Sequence, residues 1–203
     1  MYKLLIATGN RGKVKELQIL LTRLDVQLFI PKDLGLDLEV VEDGLTYEEN
    51  AAKKALAYSR VSGMIALADD SGLEVDALNG APGLYSARYS PLPQATDADR
   101  RAYLLKNLES KPRPWNAHFH ATIAISAPGH PVLFAEGNCH GQITPEERGE
   151  NGFGYDPIFY INELGRTVAE LSMNEKNSLS HRALAINNAI PILEKILKEI
   201  GSS

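Results

Sequence analysis

The chain has 203 residues, of which 44% are hydrophobic and 23% are charged, enough for one globular domain over residues 1–203, or for two lobes that share a core. Its formal net charge of −5 argues against a protein that binds polymeric nucleic acid, because sequence-independent affinity for a phosphate backbone needs a net basic surface. No run approaches the roughly 18 apolar residues of a membrane span, and Met1 leads directly into a short apolar segment instead of a signal region, so we expect a cytoplasmic protein that does not bind a membrane.

Predicted strands and helices alternate in the first half of the chain. Residues 2–8 predict a buried strand, and apolar residues at helical spacing from Val14 predict a helix. Thr46 followed by Glu49 has the form of a capping box that opens a second helix. Residues 65–68 then predict a second buried strand.

A hairpin and a helical end are predicted for the second half. Thr96 is expected to cap a helix. Residues 117–126 and 132–143 flank a Pro-Gly-His-Pro turn, as two antiparallel strands would. A strand near residues 158–161 precedes a helical segment that Pro191 could kink or divide. This order of elements predicts an α/β fold with a mixed sheet flanked by helices.

The first candidate for ligand binding is a glycine-bearing turn that leaves the first strand and opens a helix. Backbone N–H groups and the helix dipole favour an anion at such a point, and Lys13 adds a positive charge. The turn is not a Walker A loop, because two residues instead of four separate Gly9 from Gly12. An ordinary turn with Asn10 as helix N-cap is an equally good interpretation.

Two acidic segments are candidates for binding a cation. Asp69 and Asp70 follow an apolar strand, where a carboxylate pair can bind a hard cation or activate water; the alternative is an acidic turn in which Asp70 or Ser71 caps local backbone. Their placement at a predicted strand end favours the functional interpretation. Glu42, in the acidic run before Gly44, offers oxygen ligands of the kind magnesium prefers, although a solvated charge run is the favoured interpretation of this segment taken alone.

Two further segments combine polar groups with aromatic or basic ones. In residues 152–157, glycines let backbone approach a ligand, and Phe153 or Tyr155 offers a stacking surface; an aromatic anchor in a turn is the alternative. Around residues 175–182, charges and donors surround a helix start that could receive a phosphate or a purine carbonyl, although Ser180 is also a good N-cap.

Two other kinds of catalytic site are weaker candidates. His118 and His120 share one side of a predicted strand and His140 lies on its expected partner, a spacing that could form a zinc site, but no nearby carboxylate or Cys pair completes it. Surface histidines on a sheet are the favoured interpretation. The single Cys139 fits a reducing compartment, and Ser71 lacks the Gly-x-Ser-x-Gly elbow of a serine hydrolase.

In their order and spacing, these segments make the chain resemble the inosine/xanthosine triphosphate pyrophosphatases, which act on non-canonical purine nucleoside triphosphates. The most distinctive segments are ADDSGLEVDALNGAPGLYSARYS at residues 68–90 and GFGYDPIF at residues 152–159. The resemblance implies a two-lobed α/β fold with an elongated central mixed sheet, an active-site cleft between the lobes, and a homodimer. It also implies Mg²⁺-dependent hydrolysis of dITP, ITP or XTP to the monophosphate and pyrophosphate.

Matched position by position, the resemblance implies a role for each motif residue. Asp70 is the expected proton acceptor, and the expected magnesium ligands are Glu42 and Asp70. The expected triphosphate contacts are Thr8, Gly9, Asn10, Arg11, Gly12, Lys13, Lys54 and Ser71. The expected base contacts are Phe153, Gly154, Tyr155, Asp156, Lys176, His181 and Arg182. Two alternatives stay open: a Maf-like nucleotide pyrophosphatase with another base preference, and a nucleotide-binding regulator without turnover.

Overall fold

One mixed sheet organises residues 1–201, the part of the chain that the structure, a computed structural model, describes. Its seven strands in this range are β1 (Tyr2–Ile6), β2 (Val26–Phe29), β3 (Ile65–Val75), β4 (Asn116–Ser126), β5 (Leu133–Ile143), β6 (Phe159–Ile161) and β7 (Arg166–Thr167). The helices described are α1 (Arg11–Leu20), α2 (Tyr47–Ser62), α3 (Asp97–Leu108), α4 (Met173–Leu179) and α5 (His181–Gly201).

The sheet has the strand order β2-β1-β3-β4-β5-β6-β7. β1 pairs in parallel with β2 and with β3, whereas β6 is antiparallel to β5 and to β7. Leu4, Leu5 and Ile6 are consecutive and all buried, as expected of a strand that is covered on both faces. The predicted mixed sheet flanked by helices is confirmed.

The structure extends one predicted strand through the acidic pair. β3 continues past Ala68 to Val75, so Asp69 and Asp70 lie within a strand and not at its end. Ionic partners described below allow both carboxylates to be buried there, because a buried charge is tolerated when it is paired. The sequence prediction of a strand over residues 65–68 was therefore too short.

The capping prediction for α2 is half right. The Thr46 hydroxyl accepts a hydrogen bond from the Glu49 N–H at 3.1 Å, which is the first half of a capping box. The Glu49 carboxylate, however, accepts from the Leu45 N–H at 2.7 Å. Gly63, with φ of +68°, ends the helix in the left-handed conformation that glycine adopts readily.

The carboxyl-terminal helix α5 continues through Pro191 without division. Proline costs a helix one backbone hydrogen bond, but apolar residues before and after it, Ala189 and Leu193, are fully buried and hold both parts in the core. In residues 1–201, no helix is long and apolar enough to cross a membrane.

The chain forms two compact units. Of the described residues, the first contains 1–70, 121–137 and 182–201, and the second contains 71–120 and 138–181. The first unit has apolar clusters built on β1 with α1 and α5 and on β1 with α2. The second has its own cluster, built around α3, Trp115 and Phe159.

Candidate active site

Asp69 in the first unit is a buried carboxylate held by two cations. It is 1% exposed, its carboxylate forms a salt bridge with Lys13, and it accepts a hydrogen bond from Arg182 Nε at 2.8 Å. Burial alone would raise the pKa of Asp69, but Arg182 and Lys13 hold this pKa far below its usual range. Asp69 is therefore an ionised group that ties β3 to α1 and α5.

Arg182 continues this buried network to α1. Its guanidinium is 2% exposed; Nη1 donates to the carboxylate of Glu16, which is itself 2% exposed, and Nη2 lies 3.5 Å from Asp69 Oδ1. Burial would lower the pKa of Arg182, but the two carboxylates outweigh it and raise this pKa. Sequence reasoning missed Glu16, although an acidic residue next to Leu17 on the buried face of α1 was a usable signal.

Asp70 points to the opposite side of β3, since successive side chains of a strand alternate in direction. Lys54 Nζ on α2 lies 3.4 Å from Asp70 Oδ1, 2.9 Å from Glu42 Oε2 and 2.9 Å from the Asp69 carbonyl oxygen. Burial raises the pKa of Asp70, and the positive charges of Lys54 and Lys13 limit that rise. For Lys54, burial would lower the pKa, but Asp70 and Glu42 raise it.

Glu42 and Asp70 fit the demands of a magnesium ion bound together with a phosphate ligand. Both carboxylates contact the same ammonium group, so they converge on one cation position. Magnesium is usually bound through one or two carboxylates, with substrate phosphates and water completing its coordination. Within residues 1–201, no group of three or more His, Cys, Asp or Glu is arranged to hold a metal ion.

The glycine-bearing turn before α1 is organised by Asn10. Its side-chain oxygen accepts hydrogen bonds from the Gly12 N–H at 2.9 Å and the Lys13 N–H at 3.1 Å, and Thr8 Oγ1 accepts from the Asn10 N–H at 3.2 Å. The N-cap interpretation is therefore confirmed. The same turn directs Lys13 to Asp69, and a phosphate contact of this turn stays a prediction.

In the second unit, the segment Gly152 to Asp156, here called the 152–156 loop, is closed on a buried carboxylate. Asp156 Oδ2 accepts from the Phe153 N–H at 2.9 Å and from Lys176 Nζ at 2.5 Å, and this Nζ lies 4.9 Å from the centre of the Phe153 ring. Asp156 and Lys176 are both buried, whereas Phe153 is half-buried. Phe153 is thus an aromatic face held in place at the border of the core.

Tyr155 and His181 lie deeper in the second unit. The Tyr155 hydroxyl donates to the Ser86 carbonyl oxygen at 2.9 Å, and burial raises the pKa of this phenol. The aromatic-anchor interpretation therefore describes Tyr155, and Phe153 is the better candidate for stacking. The His181 ring is 6% exposed and stacks on Phe119 at 4.8 Å between centroids. Ser71 is half-buried in β3.

The histidines of β4 and β5 form a surface group. His118 and His140 have ring centroids 5.4 Å apart, and His118 Nε2 lies 3.5 Å from Glu74 Oε2. His120 Nδ1 lies 2.8 Å from Asn138 Oδ1. Glu74 is a carboxylate beside His118 that the sequence pattern did not indicate, but within residues 1–201 no three of these side chains are arranged to hold a metal ion, which fits the interpretation as sheet histidines.

Fold and site together define an α/β protein that carries a buried acidic and basic cluster on one central strand of a mixed sheet. The model of the Ham1 family matches residues 4–192, and the chain belongs to this family. Because the match covers nearly the whole chain, it includes the cluster on β3, the 152–156 loop and α4.

Curated relatives and solved structures extend the comparison. A dITP/XTP pyrophosphatase of Desulforamulus reducens is 49% identical, with 96% of each chain covered. One of Listeria monocytogenes is 44% identical, with 98% of this chain and 97% of the relative covered. The structure of a HAM1 protein from Coxiella burnetii has a TM-score of 0.86 at 39% identity and covers 96% of this chain and 100% of that one. The Ham1 protein of Staphylococcus aureus has a TM-score of 0.84 at 39% identity, covering 95% and 98%.

Proposed function

We propose that this protein hydrolyses non-canonical purine nucleoside triphosphates, such as dITP, ITP and XTP, to the nucleoside monophosphate and pyrophosphate. The reaction would remove these nucleotides before they enter DNA or RNA. The observation that carries the proposal is the cluster of Asp70, Lys54 and Glu42, which places a buried base, a cation and a second carboxylate together. Family membership and relatives named dITP/XTP pyrophosphatase support the same activity.

We assign the triphosphate to the first unit. Phosphoryl chemistry depends on offsetting the charge of the phosphates and on positioning the attacking water. Lys13 and Lys54 supply two ammonium groups that would offset the charge of the phosphates, Lys13 beside Asp69 and Lys54 beside Asp70 and Glu42. The N-terminus of α1, with the turn from Thr8, adds backbone donors that favour an anion.

Asp70 is the proposed proton acceptor. It orients a water molecule whose oxygen attacks phosphorus; the bond between the α-phosphorus and the oxygen that bridges to the β-phosphorus breaks, and pyrophosphate leaves with the electron pair. The proton of the water passes to an Asp70 carboxylate oxygen. Burial raises the pKa of Asp70 and so makes it a stronger base. Glu42 and Asp70 would hold Mg²⁺, which supplies polarisation of the triphosphate when bound.

We assign the purine base to the second unit. Phe153 offers the stacking face, and Lys176 is held beside it by Asp156. A site that donates a hydrogen bond to a 6-oxo group opposes a 6-amino group, because donor then faces donor. We assign this donation to His181, because the Arg182 guanidinium is held between Asp69 and Glu16.

The activity is tested by pyrophosphate release from dITP, XTP, dGTP, dATP, a pyrimidine triphosphate and a modified nucleotide, with and without Mg²⁺. We expect metal-dependent release from dITP and XTP. Release from dATP should be slower by about 10⁴-fold, because sites that require a hydrogen bond with the substrate discriminate between substrates on this scale. Release from a pyrimidine or modified nucleotide in their place would favour the Maf-like alternative. Tight binding without product would identify a nucleotide-binding regulator and contradict the proposal.

The 152–156 loop allows a matched test of the proposed base site. Gly152 has φ of +78°, and a Cβ there would collide with the Asp156 carboxylate; Gly129 has φ of +79° with open space around it. Both Gly→Ala changes carry the left-handed penalty of about 1–2 kcal/mol. Only Gly152→Ala also displaces Asp156, so we expect it to raise KM for dITP at least about ten-fold more than Gly129→Ala does. Steady-state kinetics and melting curves of both variants measure this difference, and equal KM values would contradict it.

We also propose that the protein is a homodimer, on the resemblance alone. Each chain has a mass of 22.2 kDa. Size-exclusion chromatography with light scattering measures the mass in solution directly. A mass equal to that of one chain at micromolar concentration would contradict this assignment.

A further inference from the structure

We propose that Asp97 and Arg101 on α3 are positioning residues that fix the 152–156 loop in the conformation that binds the purine base. The proposal rests on the proposed assignment of this loop to the base. It adds two residues to the site that are distant in sequence from the loop and that lie on a helix without an assigned role. Together they are called the α3 clamp.

The α3 clamp holds Gly154 from both sides. The Gly154 N–H donates to Asp97 Oδ2 at 2.8 Å, and Arg101 Nη1 donates to the Gly154 carbonyl oxygen at 2.8 Å. This N–H belongs to the peptide group before the Gly154 Cα, and this carbonyl belongs to the peptide group after it. Because each peptide group is planar, fixing both groups fixes φ and ψ of Gly154.

Gly154 is the residue of the loop that most needs such a restraint. Its φ is +62°, and a Cβ built there would meet no atom within 4 Å. Glycine has the widest choice of backbone conformations, and open space around it means that steric contacts do not select one. The two hydrogen bonds of the α3 clamp therefore determine which conformation the loop takes.

The α3 clamp is itself built rigidly. Arg101 Nε and Nη2 donate to the two carboxylate oxygens of Glu147, each at 2.8 Å, which is the bidentate geometry that orients a guanidinium best. The other oxygen of Asp97 accepts from Arg100, whose Nη1 donates to the Ala95 carbonyl oxygen at 2.6 Å. Asp97 also stands in the first turn of α3, where a carboxylate is favoured by the helix dipole.

Phe153 lies between this clamp and the buried carboxylate at the end of the loop. Its own N–H donates to Asp156, and the next N–H, of Gly154, donates to Asp97. The direction of the Phe153 ring thus depends on both attachments. Without the α3 clamp, substrate must order Gly154 on binding, and ordering one residue weakens binding by about ten-fold.

The test uses Arg101→Lys and Asp97→Asn, with Arg148→Lys as control. A lysine keeps the charge but lacks the planar fork that donates to both oxygens of Glu147 and to Gly154 in fixed directions, and an Asn has a single oxygen in place of the two that Asp97 uses. Arg148 pairs with Glu146 at 3.3 Å on the surface, close in sequence to Glu147. We expect both clamp variants to raise KM for dITP about ten-fold and to lower the ratio of dITP to dATP hydrolysis. Their kcat is expected to stay within about two-fold of the parent, because the proposed base Asp70 is not altered.

Two outcomes separate this proposal from the proposed function. Phe153→Ala is measured in parallel; if it raises KM while both clamp variants behave like Arg148→Lys, the α3 clamp is overturned and the base assignment survives. If Phe153→Ala leaves KM and the substrate ratio unchanged, the base assignment falls and the clamp with it. A fall of kcat with unchanged KM would also overturn the clamp. Should Arg101→Lys fail to fold, Glu147→Gln removes one of the bonds that orient Arg101, and an unchanged KM in that variant overturns the proposal.

Discussion

Replacing Asp70 by Asn is expected to lower kcat for pyrophosphate release from dITP by about 1,000-fold, the scale of a lost general base. The amide keeps the shape of the side chain but cannot accept the proton of the attacking water. The substitution also removes one of the two carboxylates proposed to hold Mg²⁺. Steady-state rates across a series of Mg²⁺ concentrations measure both losses.

The control for this prediction is Asp43→Asn. Asp43 is exposed and pairs with Lys53, next to Lys54, so the two variants lose the same charge within the same acidic and basic neighbourhood. We expect Asp43→Asn to retain the parent rate. Full turnover by Asp70→Asn, with an unchanged dependence on Mg²⁺, would remove Asp70 from the mechanism.

Replacing the neighbouring Asp69 by Asn is expected to act on stability instead. Lys13 would lose its buried carboxylate partner and Arg182 would keep only Glu16, and removing one partner of a buried ion pair costs about 3–5 kcal/mol. Urea denaturation measures this loss as a lower midpoint with an unchanged m value. Glu146→Gln, which breaks an exposed pair with Arg148, should change the free energy of unfolding by less than about 1 kcal/mol.

The loss of stability caused by Asp69→Asn should depend on pH in a defined direction. The pKa of Asp69 is lowered in the folded protein, so its contribution is fully present above the unfolded pKa, which is about 3.9. The gap in free energy of unfolding between the parent and Asp69→Asn should therefore persist at pH 5 and shrink as the pH falls below about 4. A gap that closes between pH 7 and pH 5, or that never exceeds the effect of Glu146→Gln, would contradict the buried ion pair.

Much of the fold could be predicted because its signals are local. Thr96 caps α3 as expected, and Asp99 completes the capping box. β2, Val26–Phe29, was missed because four residues carry little pattern and become a strand through pairing with β1, which is distant in sequence. α4 was missed because its seven residues lack an apolar period; Ser172 and Glu175 form the capping box that begins it.

The residues of the candidate site could be predicted from the sequence, but the side chains with which they pair could not. The sequence singled out Asp70, Lys54 and Glu42, and the structure brings these three together. The sequence could not reveal that Arg182 pairs with Glu16, because that contact joins residues 166 positions apart. The predicted family is confirmed, whereas the individual roles of the site residues stay predictions until the variants are measured.

The alternation of β3 makes two chemically identical neighbours non-interchangeable. A deletion of one residue earlier in the strand would shift the register and exchange the directions of Asp69 and Asp70, although both would still be present. Asp70 would then take the place of Asp69 beside Lys13 and Arg182, and Ser71 would take the place of Asp70 beside Lys54, so the proposed proton acceptor would be lost. For protein engineering, this means that the number of residues in β3 before Asp69 must be preserved, even where individual side chains of the strand are varied.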